Sequence, residues 1–213
     1  MRGFALVFAI LIPMGLGLSG CAGGYAIAHE NVTGNVDRTS DWRDFHYCGG
    51  WGCSDQREVG FSPDEWAQVA AVMMPAAASA AEERARLGHA IGVMEAIIGG
   101  KTGYDRDRAG TGSGIFQLGQ LDCYSEAANS STFLRLLDHA GLMQFHTPAE
   151  PIMRGQATSK SWRQTHATAA LTEDESGVLF AMDSWFFANG HAAVAVEAET
   201  WGGAWAPPGG AAI

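Results

Sequence analysis

Cys123 is the residue whose type and position best suit covalent chemistry. It follows Asp122 at the predicted start of a helix, with Ser125 and Glu126 in the opening turn. Unpaired amides and the helix dipole at such a start favour thiolate over thiol, so the position predicts a lowered pKa and a reactive sulfur. A nucleophile also needs a base, and the base needs something to orient it. Two strands are predicted downstream, Thr165–Leu171 and Val178–Trp185, joined by the turn-rich segment 172–177. A loop symmetric about Asp174 and Glu175 sets Leu171 opposite Val178 and His166 opposite Asp183. Opposed residues of an antiparallel pair have Cβ atoms about 4.5–5.5 Å apart, which suits an imidazole–carboxylate hydrogen bond. The reading is then Cys123 as nucleophile, His166 as base and Asp183 as orienter. Blander roles compete with it: an inert buried thiol, a packed histidine, and an Asp183 that caps a turn or pairs with Arg163.

The order is cysteine on a helix start, histidine on one strand and aspartate on the next, with gaps of 43 and 17 residues. It resembles the transglutaminase-like branch of the papain-like cysteine peptidase superfamily, over about residues 117–187. More closely, the stretch from Cys48 to Trp201 resembles an uncharacterised family of bacterial exported proteins. That likeness is carried by Gly52-Cys53, Gln120-Leu121-Asp122-Cys123, His166-Ala167-Thr168 and Asp183-Ser184-Trp185, followed by Asn189-Gly190. The resemblance implies acyl chemistry on amides, with hydrolysis or transfer both open and no cofactor. It also implies an oxyanion held by the Cys123 N–H and one side-chain donor. Gln117, six residues before the cysteine, has the superfamily's offset; Gln120, three before, lies in the stretch matching the closer family.

Three other cysteines have different contexts. Leu18-Ser19-Gly20-Cys21 follows Arg2 and the apolar run from Phe4 to Ile12, which is too short to span a bilayer. This is the layout of a lipoprotein signal, with lipidation of Cys21 after removal of residues 1–20; an ordinary signal peptide is the plain alternative. Ala22 after the cysteine resembles lipoproteins sent on to the outer membrane, so the expected setting is the bacterial envelope, facing the periplasm. Cys48 and Cys53 bracket Gly49-Gly50-Trp51-Gly52, and glycines permit the positive φ angles of a small ring. A Cys48–Cys53 disulfide is expected, against two free thiols or half of a zinc site, for which no second ligand pair occurs. The remaining histidines (His29, His46, His89, His139, His146, His191) show no metal spacing.

Asp and Glu outnumber Lys and Arg by 23 to 13, and loss of Arg2 with the signal takes the net charge from −10 to −11. Such a chain gains nothing from a phosphate backbone, so nucleic acid is not an expected partner. Expected partners are the membrane, through the lipid, and a peptide or peptidoglycan substrate.

The positioning elements read as an α+β domain of residues 45–203, between a polar tether at 21–44 and a loose tail at 204–213. Ser62-Pro63-Asp64-Glu65 starts one helix and Ser79 to Glu82 another. The second carries a stripe of Leu87, Ile91, Met94 and Ile98 and is expected to end at Gly99-Gly100, with Glu95 beside the stripe read as a solvated neighbour, against a buried functional carboxylate. Thr102–Gly119 is expected to be a surface loop held by ion pairs. A third helix runs from Asp122 to Gly141, a strand follows at Met143–Thr147, and then comes the hairpin. Helices first, then a small antiparallel sheet, suit a papain-like arrangement.

Overall fold

The computed structural model describes residues 24–111, 117–155, 165–203 and 205–209. The signal segment 1–20, Cys21, Trp162 and Arg163 lie outside the described residues. The architecture is α+β, with helices packed on a largely antiparallel sheet.

Helix α2 (Pro63–Met73) begins on a complete capping box: Ser62 Oγ accepts the Glu65 N–H, and Glu65 accepts the Ser62 N–H at 2.6 Å. Helix α3 (Ala80–Thr102) starts at Ser79, whose Oγ accepts the Glu82 N–H at 3.2 Å. Here the carboxylate of Glu82 turns to Ala78 N instead of closing on Ser79. Leu87, Ile91, Met94 and Ile98 are wholly buried, each gaining roughly 1.5–3 kcal/mol by leaving water. The helix does not stop at Gly99-Gly100. It ends at Gly103, whose φ of 83° is the left-handed cap that glycine supplies. Other glycines of α3 are there for close approach. A Cβ on Gly88 would sit 2.1 Å from Ala193 O, and one on Gly92 would sit 2.7 Å from His191 O.

Residues 25–44 belong to the fold, although a tether was expected there. Strand β1 (Tyr25–Ile27) pairs with β5 (Ile152–Arg154), and the short helix α1 (Glu30–Thr33) buries Val32. The polar neighbours of Val32 and Val36 hide the two apolar anchors that tie this segment down. Strands β2 (Phe45–Gly49) and β3 (Asp55–Val59) form a separate hairpin. The Cys48–Cys53 disulfide closes its turn with Cα atoms 4.6 Å apart. The left-handed φ angles of Gly50 (70°) and Gly52 (56°) make that short ring attainable.

Helix α4 (Cys123–His139) lies on the main sheet, with Phe133, Leu134 and Leu137 in a core shared with Leu87, Met94, Leu171 and Met182. The sheet is β1-β5-β6-β7-β8, using β6 (His166–Glu173), β7 (Leu179–Asp183) and β8 (Val194–Glu197); β4 (His146–Pro148) also pairs with β6. On the face away from α4, Ile152, Ala170 and Ala181 pack against Trp201 of helix α5 (Ala198–Gly202) and Trp205. The expected tail thus begins inside a covered face of the sheet. Among the described residues no helix is long and apolar enough to cross a membrane.

Candidate functional site

Cys123 is the first residue of α4, and Asp122 caps the helix: its Oδ1 accepts Ser125 N–H at 2.9 Å. The same carboxylate reaches across to accept Gly52 N–H at 2.9 Å. Four more bonds tie the disulfide ring to this helix, one of them from Ser125 Oγ to Gly50 O at 2.8 Å. Cys53 N–H donates to Ser125 Oγ at 2.9 Å, and Asn129 exchanges two bonds of 2.8 Å with the Cys48 backbone. The ring therefore fixes the position of the helix start.

Cys123 as a residue is partly exposed, but its sulfur is buried, and its pKa is pushed up, not down. Burial of the sulfur is the main cause, and the charges of Asp122, Glu126 and Asp183 add to it. The Ala167 N–H works the other way but does not offset them. This reverses the expectation of a lowered thiol, because desolvation and three carboxylates outweigh the partial charge of a helix end.

His166 and Asp183 meet. Nε2 lies 2.7 Å from Asp183 Oδ2, and both residues are 1% exposed. The register is not the expected one. Ala169 faces Met182 and Leu171 faces Phe180, a shift of two residues that makes His166 and Asp183 diagonal neighbours. A two-residue shift keeps both side chains on one face, and diagonal neighbours remain within reach of an imidazole. Trp201 Nε1 donates to the same Oδ2 at 2.7 Å. A carboxylate only accepts, so the imidazole proton belongs on Nε2 and the neutral ring presents a bare Nδ1. That nitrogen has no partner among the described residues. The ring is boxed by Trp185 at 4.7 Å, Phe186 at 5.3 Å and Trp201 at 5.5 Å between centroids.

Strand alternation places His166 and Asp183 on the face of Ala170, Ala181 and Trp201, while α4 covers the other face. Cys123 therefore approaches the beginning of β6 from the end of its helix, against the peptide that joins His166 to Ala167. No hydrogen bond joins the thiol to His166 Nδ1 in this structure.

The glutamines serve the preceding loop. Gln120 Nε2 donates to Arg106 O at 2.8 Å and to Gly119 O at 2.9 Å, and its Oε1 accepts from Arg108. Both amide hydrogens are used, so Gln120 has none to offer an oxyanion. Gln117 is exposed, and its Oε1 accepts from the Arg108 guanidinium. The described parts of the loop are held by these bonds and by buried Asp107, which accepts Leu121 N–H at 2.9 Å, in place of the expected ion pairs.

Glu95 is not a solvated neighbour of its stripe. It is half-buried, bonds to Ser184 and Gly190, and is pushed up to about 8 by burial, with Asp107 adding to the rise. Asp107 and Glu126 are raised too, chiefly by burial, and face each other as carboxyls sharing one pocket with Glu95. Ser184 Oγ donates to Glu126 Oε2 at 3.1 Å. This acidic group and Trp201 were invisible as a site in the sequence. Their residues come from α3, the loop, α4, β7 and α5, and no motif links them. No group of three His, Cys, Asp or Glu among the described residues is arranged to hold a metal ion. Comparison of the chain with family models, with curated proteins and with solved structures finds no match, so the family resemblance rests on the residues that carry it.

Proposed function

We propose that this is a lipid-anchored envelope protein whose Cys123, His166 and Asp183 act on amide bonds of peptides or peptidoglycan, by hydrolysis or acyl transfer. The observation that carries the reading is the buried His166–Asp183 pair at 2.7 Å with a bare, unpartnered Nδ1. Its strand begins beside the Cys123 thiol. Because the thiol is raised, it is protonated at rest, and His166 acts as a base during attack rather than through a standing ion pair. Nδ1 takes the thiol proton as sulfur bonds to the carbonyl carbon, and the Cys123 N–H receives the oxyanion. The proton then passes to the leaving amine, and water or a second amine releases the acyl group. Such a sequence requires Cys123 and His166 to close on each other around the substrate.

The raised thiol favours a second reading, a non-catalytic envelope lipoprotein whose cleft binds a peptide or protein partner. Alkylation by iodoacetamide as a function of pH separates the two. On the enzymatic reading His166→Ala slows the reaction near neutral pH by at least about tenfold, and Asp183→Asn slows it less. Equal, slow profiles in wild type and both variants would leave only the binding reading.

A further inference from the structure

Strand β1 forms one edge of the main sheet, and it carries two of the five large apolar side chains exposed among the described residues. Ile27 is 68% exposed and Tyr25 37%. They are two residues apart and oppose Ile152 and Arg154, so both stand on the face of the sheet that bears α5. The other three, Met74, Leu118 and Val178, lie in separate parts of the chain.

Cys21, where the lipid is expected, lies four residues before Tyr25. Four residues span at most about 14 Å, whatever path the chain takes. Because β1 is bonded into the sheet through β5, the domain itself is held within that distance of the lipid. The intervening sequence is not that of a spacer through water either. Cys21 to Ala28 reads Cys-Ala-Gly-Gly-Tyr-Ala-Ile-Ala, and the first carboxylate comes only at Glu30. A contiguous apolar segment left exposed marks a contact surface. Here the surface nearest to hand is the bilayer. The depth of contact is limited by the backbone. The outer edge of β1 has no strand beside it among the described residues, and unpaired N–H and C=O groups do not enter hydrocarbon. At headgroup level water and polar lipid groups satisfy them. An aromatic ring with a hydroxyl, as in Tyr25, suits the same level.

We propose that β1 is a membrane-contact edge, with Tyr25 and Ile27 seated in the headgroup layer of the phospholipid leaflet that holds the Cys21 lipid. This deepens the reading above and rests on its lipid anchor. The acyl chains supply the affinity, and the strand fixes the orientation of the domain. Tyr25, Arg154 and His166 are successive register partners across β1, β5 and β6. Two strand spacings, about 10 Å, then separate His166 from the membrane-facing strand, so the candidate site is held close to the bilayer.

The test uses the full-length protein, purified from membranes in detergent and reconstituted into vesicles of phosphatidylethanolamine and phosphatidylglycerol that contain nitroxide-labelled lipid. In a Cys123→Ser background, Ile27→Cys and Met74→Cys each carry an environment-sensitive nitrobenzoxadiazole label. Met74 is the matched control, apolar and 61% exposed but at the end of α2. The label at 27 should shift to the blue and lose several-fold more emission to the nitroxide than the label at 74, as a side chain at the headgroup boundary does. If Ile27→Cys fails to fold, Tyr25→Cys carries the label in its place. Equal quenching at 27 and 74 would overturn the proposal. So would a label at 27 that is shielded from water yet unquenched, since a second copy of the chain would then cover the strand. Both results leave the anchor standing, because the protein still sediments with the vesicles. A protein that stays in solution, or a Cys21→Ser variant still processed and carried by membranes, removes the anchor, and the proposal falls with it.

Discussion

Among the described residues there are two buried imidazole–carboxylate pairs, and they differ in what is left unpaired. His146 Nδ1 lies 2.9 Å from Glu83 Oε1, both residues being almost wholly buried. Glu83 also accepts the N–H groups of Gln144 at 2.7 Å and Phe145 at 2.9 Å. His146 Nε2 meets the Arg84 guanidinium at 3.0 Å, and Arg84 pairs in turn with Glu173. Every side-chain polar atom of His146 and Glu83 has a partner, so the pair is a joint between α3, β4 and β6. At His166 and Asp183 the contact is shorter still, but Nδ1 and Oδ1 both lack a partner among the described residues. A saturated pair stabilises; an unsaturated one is available to something outside the fold. Burial and distance do not separate the two, and the accounting of unused valences does.

The largest effect that sharpens this contrast should come from the saturated side. Glu83→Ala strands two backbone N–H groups and a histidine, and should lower unfolding free energy by about 4 kcal/mol. Urea denaturation should show that loss, while iodoacetamide reactivity of the folded protein stays at the wild-type level.

The acidic group extends the contrast, since no imidazole or cation among the described residues neutralises it. Glu95, Asp107 and Glu126 are all raised in the fold, Glu95 from 4.5 to about 8. Between those values the native state holds protons that the unfolded chain has released, so stability is greatest below about pH 4.5 as far as these groups go and falls as pH rises through 8. For Glu95, discounted for its partial exposure, the loss is on the order of 3 kcal/mol. Thermal melts across this range should show Glu95→Gln with a visibly flatter pH dependence than wild type. An unchanged slope would mean that the three carboxyls titrate as exposed groups.

The smallest effect concerns the orienter. Trp201→Phe keeps most of the buried ring but deletes the N–H given to Asp183 Oδ2, and should cost about 2 kcal/mol, as loss of a hydrogen bond to a charged acceptor does. It should also shift the pH profile of Cys123 alkylation, because Asp183 then holds the imidazole with one fewer restraint. Loss of stability with an unmoved profile would make Trp201 packing alone.

Much of this was legible from sequence where the signal is local. The start of α2 at Ser62 and the buried stripe of α3 depend on neighbours within one or two turns, as does the cap of Asp122 on α4. The shared face of His166 and Asp183 was legible for a different reason: strand alternation has period two, so an error of two residues in register leaves the facing intact. What failed depends on tertiary partners. Gln120 lies three residues before the cysteine but is turned into its own loop by Arg108 and Arg106, and the thiol is raised chiefly by burial, a product of packing, with Asp183 of β7 adding to its neighbours Asp122 and Glu126. Strands of three residues such as β1 and β5 carry too few positions for a pattern.

The close seat of residues 189–193 on helix α3 has an evolutionary consequence. A methyl group at Gly88 or Gly92 would collide with backbone oxygen, which no side-chain rearrangement can relieve. Lineages of this protein that change Cys123 or its surroundings still have to seat this segment. They cannot lengthen either glycine without lifting the 189–193 segment off the helix, and that segment leads from β7 into β8. Two glycines four residues apart, upstream of the cysteine, should therefore outlast Cys123, His166 and Asp183 as the inherited mark of this fold.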